Sequence, residues 1–282
     1  MILHISHNDL DGVGCGILVK KAFGTNISTM YVTHSDTEDA LKGDMSKYAT
    51  VIITDLSLPA AHIEAIAGER ELIFIDHHKS SEALAKHSFA THSIKECATL
   101  LTYHKLTEMG YDVSAYEDFA YCVNDFDLWL LKRDDSLRMN MLFSIYGLSR
   151  FEKRFLNEPY AGFTGAEVML MSFEDERRRN YIHNAVKNIA RHTDKQGRNF
   201  AVVFAESFTS ELGNYVLENN SEFDYVVIIN AQRQRLSIRS KKDVDVSVIA
   251  VNNGGGGHKN AAGFLLNSNF SANEILKTAG II

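Results

Sequence analysis

Five short segments of this chain carry residue types and spacings that suit metal and phosphate chemistry. The first is His7-Asn8-Asp9-Leu10-Asp11-Gly12. In an extended segment alternate side chains share one side, so His7, Asp9 and Asp11 could face one pocket. Carboxylates with imidazole suit Mn2+, Fe2+ or Mg2+. A calcium loop would need a glutamate at its twelfth position; counted from Asp9 that position is Lys20, so the calcium reading fails. The second is Asp55, which ends the apolar run Thr50-Val51-Ile52-Ile53-Thr54 and by itself is equally a helix cap. The third is Asp76-His77-His78, three ionisable groups directly after Leu72-Ile73-Phe74-Ile75, where packing offers no reason for them. The fourth, Val123-Asn124-Asp125-Phe126-Asp127-Leu128-Trp129, interleaves two acids with large apolar residues, so one acid could be a ligand and the other a support or cap. The fifth is Gly254-Gly255-Gly256-Gly257-His258, whose backbone N–H groups can approach an anion closely, followed by Ala261-Ala262-Gly263.

These residues are far apart in sequence and need a scaffold that gathers them. Met1–Ser6, residues 27–33, 50–54 and 72–75 read as strands. Gly12–Phe23, Pro59–Gly68 and Cys97–Met109 read as helices, with proline at the first turn of one and glycine after another. Alternating strands and helices predict βαβ units and a mainly parallel sheet. Ligands of such sheets bind beyond the carboxyl ends of the strands, where Asp9, Asp11, Asp55 and Asp76 all fall. Thr164–His192 reads as a long helical connector, and its Arg177-Arg178-Arg179 as a solvated helix face rather than an anion site. The alternation then restarts through strands at 200–205, 225–230 and 235–239, with helices at 208–219 and 244–251. The expected architecture is α/β: a parallel-sheet domain over residues 1–160, a helical connector over 161–194, and a smaller α/β domain over 195–282.

Composition narrows the setting. The chain is 45% hydrophobic and 23% charged, ordinary for a globular protein. Residues 1–150 carry 13 Lys+Arg against 21 Asp+Glu, a net of −8, and the remainder carries 16 against 15, a net of +1. An acidic first half argues against broad, non-specific nucleic-acid binding there. The N-terminus has no basic stretch followed by a long apolar run, and no apolar run is long enough to span a bilayer. Cys15, Cys97 and Cys122 form no C-x-x-C pair, so a reducing cytoplasmic setting is expected, without a disulfide framework or a cysteine-based zinc site.

Taken together and in order, the five segments resemble the DHH phosphoesterase superfamily, named for the triplet seen here as Asp76-His77-His78. Gly254–Gly263, with Arg239-Ser240 upstream, looks like the DHH-associated C-terminal domain. The resemblance spans nearly the whole chain. It implies two divalent ions, Mn2+ first and Mg2+ or Fe2+ as alternatives. By similarity His7, Asp9 and Asp55 hold one ion, while Asp11, Asp55, His77 and Asp125 hold the other, with Asp127 as the rival to Asp125. Asp55 bridges, Asp76 supports the cluster from behind, and His78 touches phosphate or orients a ligand. Arg239, Gly255, Gly256, Gly257 and His258 grip the substrate. Two such ions about 3.5–4 Å apart can clamp the attacking and leaving oxygens of an in-line displacement.

The resemblance leaves several substrates. The exonuclease branch is longer and carries an added nucleic-acid-binding fold, and the membrane-bound cyclic dinucleotide branch carries sensory segments. Pyrophosphatases place the first histidine farther from the acid pair; here it is His7-x-Asp9, although Lys241-Lys242 is similar to their basic cluster. A short oligonucleotide or small nucleotide, such as nanoRNA, a dinucleotide or pAp, is the expected substrate, and a homodimer is compatible with the sequence. The alternatives are a single-strand exonuclease, a pyrophosphatase-like hydrolase, or a nucleotide-binding relative without catalysis.

Overall fold

A computed structural model of the 282-residue chain describes residues 1–33, 36–37, 41, 43, 45–241 and 243–266. Lys242 of the expected basic pair, and residues 267–282 of the expected C-terminal domain, lie outside the described residues. The chain divides into two compact units, residues 1–173 and 174–282.

Unit 1 is built on a five-stranded sheet of β1 (Ile2–His7), β2 (Ile27–Val32), β3 (Thr50–Thr54), β4 (Glu71–Asp76) and β5 (Ala90–His92), in the order β2-β1-β3-β4-β5. Every neighbouring pair is parallel. The central strands are largely buried because helices or loops cover both faces, and the polar side chains they bury, His4, Ser6 and Thr54, hydrogen-bond one another. Ile5, Ile53 and Phe74 lie on one rung and pack with Ile63 and Leu84 below the sheet. Ile52 joins the opposite core, with Val13, Ile17, Leu100, Phe119 and Phe155. That side carries α1 (Leu10–Phe23), α3 (Ala98–Glu108), α4 (Glu117–Asp127) and α5 (Ser136–Asn157), while α2 (Ala60–Glu69) links β3 to β4. Helix α1 is buried along Leu10–Val19, as expected of a helix enclosed on all sides. The chain leaves β1 for β2 on one flank and then crosses to β3 on the other. The carboxyl ends of β1, β3 and β4 thus meet at the topological switch point.

Helix α6 (Gly165–Ala185) ends at Ala185 rather than continuing to His192, because the chain next extends into β6 (Ala190–Thr193). Its Arg177, Arg178 and Arg179 pair with Glu174 and Asp175 one turn back, the pattern of a solvated helix face. Unit 2 contains a six-stranded sheet of β6, β7 (Asn199–Phe204), β8 (Tyr225–Asn230), β9 (Arg235–Ser240), β10 (Gly256–His258) and β11 (Ala261–Leu265), in the order β10-β11-β9-β8-β7-β6. Only β7 and β8 run parallel, joined through α7 (Thr209–Asn219). Val226 and Ile228 face Leu212 and Val216 of α7, while Tyr225 and Ile238 pack with Val246 and Ala250 of the region around α8 (Ser247–Asn252). Among the described residues no helix is long and apolar enough to cross a membrane.

Candidate active site

The first motif is not one extended stretch. The strand stops at His7, Asp9 caps α1, and Asp11 lies in the first helical turn. Asp9 Oδ1 accepts the Gly12 N–H at 3.0 Å. The turn needs glycine at position 12, since a Cβ there would lie 2.1 Å from the His7 carbonyl oxygen. The expected common face for His7, Asp9 and Asp11 is therefore split. His7 Nδ1 lies 2.8 Å from Asp9 Oδ2. Asp11 turns toward α3, where its two oxygens accept the Ala98 and Thr99 N–H groups at 2.8 and 2.7 Å.

Asp55 follows β3 directly and takes a left-handed backbone, φ 54°. Its N–H is fixed by the Ile75 carbonyl at 3.0 Å. One oxygen, Oδ1, lies 3.4 Å from His77 Nε2, and the other, Oδ2, lies 4.0 Å from His7 Nδ1. Asp55 Oδ2 is buried and accepts no hydrogen bond among the described residues.

His77 Nε2 is the focus of a second group. Asp11 Oδ2, Asp55 Oδ1 and Asp127 Oδ2 surround it at 3.6, 3.4 and 3.6 Å. Those separations are longer than typical hydrogen bonds and suit donors arranged about a common centre. His7, Asp9 and Asp55 offer ligand atoms within 4.8 Å of one another, as do Asp11, His77 and Asp127. So dense an arrangement of acids, with a buried oxygen left unsatisfied, fits divalent cations that would cancel its charge.

Asp125 does not join the cluster. Its carboxylate accepts the Lys132 and Arg133 N–H groups at 3.0 and 3.1 Å, and its carbonyl accepts those of Leu130 and Leu131. The acid of the fourth segment that reaches the site is Asp127. Both stand on the last turn of α4, where residues two apart point to nearly opposite sides. Buried Asp76 and half-buried His78 form a pair beside the cluster, with Asp76 Oδ1 2.7 Å from His78 Nδ1. His92, which sequence reasoning missed, hydrogen-bonds the His78 carbonyl at 2.8 Å; its rung partner on β4 is Asp76.

The electrostatics follow from burial and crowding. Burial, then the charges of Asp9 and Asp11, push the Asp55 carboxyl well above its ordinary range. Burial and the same two neighbours raise Asp127. His77 is lowered by burial, which outweighs the acids around it, so its imidazole is neutral and able to donate a lone pair. Asp76 and His78 shift in opposite directions. Burial would raise Asp76 and lower His78, but their hydrogen bond outweighs it, favouring the ionised form of Asp76 and the protonated form of His78. Asp9 is also held below its usual range: burial opposes, but the His7 hydrogen bond prevails. Asp9 is 49% exposed, so solvent screens much of this effect.

In unit 2 the register sets Arg239 of β9, Ala261 of β11 and His258 of β10 on one rung. Arg239 donates to Ser210 Oγ at 2.8 Å, and burial lowers its guanidinium to about 10, still charged near neutrality. The glycine run is not a free loop. Gly256 and Gly257 lie in β10, which pairs with β11. Gly257 has φ +134°, and a Cβ there would lie 2.5 Å from the Ala261 carbonyl. A Cβ on Gly255 would lie 2.2 Å from the Gly263 carbonyl, whereas one on Gly256 would meet nothing within 4 Å. At least two of these glycines serve close strand packing, whatever else they do.

Comparison with known proteins agrees with this architecture. The DHHA1 domain family matches residues 180–280. The oligoribonuclease NrnB of Bacillus subtilis is 31% identical over 285 aligned residues, covering 92% of this chain and 71% of that protein. Among solved structures, the pGpG-specific phosphodiesterase PggH of Vibrio cholerae superposes with a TM-score of 0.57 at 12% identity, over 100% of this chain and 98% of that one. RecJ of Thermus thermophilus, in complex with Mn2+, superposes with a TM-score of 0.56 at 15% identity, over 99% of this chain and 50% of that one. The chain belongs to the DHH phosphoesterase family and carries its DHHA1 domain. It is a phosphoester hydrolase.

Proposed function

We propose that this enzyme hydrolyses phosphodiester bonds of short oligoribonucleotides, dinucleotides among them, with two divalent cations of which Mn2+ is the first choice. The observation that carries the reading is the pair of donor groups that Asp55 lies between. Its Oδ2 turns toward His7, which lies beside Asp9, and its Oδ1 toward His77, about whose Nε2 Asp11 and Asp127 also gather. In this reading His7, Asp9 and Asp55 hold one ion, and Asp11, Asp55, His77 and Asp127 hold the other. When bound, such ions would supply positive charge against the phosphoryl oxygens and would lower the pKa of a coordinated water.

The remaining residues hold protons and charge. Asp76 hydrogen-bonds His78 Nδ1 and favours its protonated form, from which the other ring nitrogen can offer an N–H to a phosphoryl or leaving oxygen. His92 steadies the backbone of that histidine. Arg239 and His258, on one rung of unit 2, present donors for a substrate phosphate, Arg239 through a fork suited to bidentate contact. The size class of the substrate is taken from the oligoribonuclease relative.

The test is a panel assayed with Mn2+: RNAs of two to five nucleotides, pAp, cyclic dinucleotides, pyrophosphate and long single-stranded DNA. The expected result is the highest kcat/KM on the short RNAs. Turnover of pyrophosphate or pAp alone would overturn the substrate assignment, and preference for long DNA would favour an exonuclease.

A further inference from the structure

The segment after Asp127 holds a conformation that core packing does not require. Trp129 and Leu131 both take left-handed backbones, φ 53° and 49°. Bulky L-residues rarely do so unless their surroundings force them, and such outliers gather at functional sites. Here the force comes from Asp125, whose carbonyl and carboxylate together accept the N–H groups of Leu130, Leu131, Lys132 and Arg133. The Phe126 carbonyl accepts the Trp129 N–H at 2.9 Å. What this arrangement presents is apolar surface. Leu130 is 44% exposed, and Trp129 is half-buried, its ring and that of Phe126 meeting edge-to-face with centroids 5.7 Å apart. Neither belongs to the core that Phe126 packs against.

Position supplies the second observation. Trp129 follows Asp127 by two residues, so their Cα atoms lie within about 7 Å. Asp127 reaches the centre of the carboxylate and imidazole cluster. A nucleotide with its phosphate at that cluster carries its own base over a comparable span.

We propose that Trp129, with Leu130 beside it, is a stacking ledge for a nucleobase of the substrate. The inference rests on the phosphodiesterase reading and deepens it. An indole face accepts any base, since every base has a π-face. The ledge therefore requires a base at this position without selecting which one.

Trp129 is the only tryptophan of the chain, so its emission reports on the ledge alone. The full-length protein with Mg2+ (Mn2+ itself quenches) is titrated with AMP, UMP and ribose 5-phosphate. The expected result is saturable quenching by AMP and UMP alike, and none by ribose 5-phosphate. Emission unchanged by AMP up to millimolar concentration, or altered equally by ribose 5-phosphate, overturns the proposal. A kinetic arm compares a dinucleotide with its abasic analogue. Trp129→Ala should reduce the preference for the base-bearing substrate by about 5- to 150-fold, chiefly through KM, with Trp129→Phe restoring most of it. Equal losses on both substrates would mean a merely structural tryptophan and would also overturn it. Quenching by AMP in a protein that cleaves no phosphodiester would sustain the ledge and refute the proposed function, so the two failures are separable.

Discussion

The two acids at the end of α4 should respond in opposite ways to the same substitution. Asp125→Asn removes an anion that accepts two backbone N–H groups, at 3.0 and 3.1 Å. Hydrogen bonds to a charged group contribute about 1.5–3 kcal/mol each. The amide oxygen retains one acceptor, and water can reach the partly exposed loop, so a net loss of about 1–3 kcal/mol is expected. Asp127→Asn should instead stabilise the metal-free protein. Its carboxyl is raised by burial and by Asp11 and Asp9, so ionising it at neutral pH works against the fold, and an amide avoids that cost. Metal binding should reverse the ranking. Asp125→Asn should keep the number of Mn2+ ions bound, whereas Asp127→Asn should lose one or weaken it by more than the roughly 10–100-fold seen for outer supporting residues. Urea unfolding of metal-free protein and calorimetric titration with Mn2+ measure both quantities. An Asp125→Asn protein that keeps its stability but loses a metal ion, beside an Asp127→Asn protein that loses neither, would refute the assignment.

Three further outcomes follow from the same geometry. Asp55→Asn should abolish phosphodiesterase activity while raising the melting temperature of the metal-free protein at pH 8. A carboxyl raised in the folded state contributes stability below its unfolded pKa of 3.8 that is lost as pH rises through the folded value, so the gain should shrink toward pH 4; a gain independent of pH would count against burial as its cause. In β10, Gly257→Ala should destabilise unit 2 by roughly 1–3 kcal/mol, through the positive φ and the approach to Ala261, while Gly256→Ala should change it by under about 1 kcal/mol. Equal thermal melts for the two would refute the packing account. Arg239→Lys should raise KM for a short RNA about tenfold with kcat little changed, since a point charge replaces a bidentate fork; an unchanged KM would remove Arg239 from substrate binding.

The scaffold was legible where one physical signal dominates. Thr50–Thr54 and Leu72–Ile75 are β-branched or apolar throughout, as strands covered on both faces must be, and the acids after them mark the sheet edge. Helix α5 left no comparable signal: its hydrophobic periodicity is interrupted around Gly147, where two helical stretches meet at a kink. The site was legible in residue type but not in direction. His7, Asp9 and Asp11 share a side only if the segment stays extended, and α1 begins at Leu10. Asp125 and Asp127 were interchangeable until α4 placed them on its last turn. Nor does a run of glycines reveal whether its backbone is wanted for hydrogen bonding or its missing Cβ for space; only the distance to β11 separates those needs.

Several departures from local rules gather at the cluster, although Phe208 and Gln234 take left-handed backbones elsewhere. Asp55 takes a left-handed backbone at the end of β3, and its buried Oδ2 finds no donor among the described residues. Asp127 and Asp55 are acids held where ionisation is opposed. Trp129 and Leu131 adopt the same strained region just beyond Asp127. The strands beneath them are mostly free of such conflict, with Ile5, Ile53 and Phe74 stacked on one rung, although β1 also buries His4, whose Nδ1 finds no partner among the described residues. A fold can hold strained and repelling groups only where the rest of the structure over-determines them. Here α3 fixes Asp11 through two N–H groups, Ile75 fixes Asp55, and Asp125 fixes the loop beyond Asp127. The Asp11 carboxylate is thus held by backbone N–H groups, while Asp55 and Asp127 are placed by the fixed backbone on or beside which they stand. The donor geometry is therefore set by the polypeptide, and cation binding should relieve repulsion within the site rather than create the site.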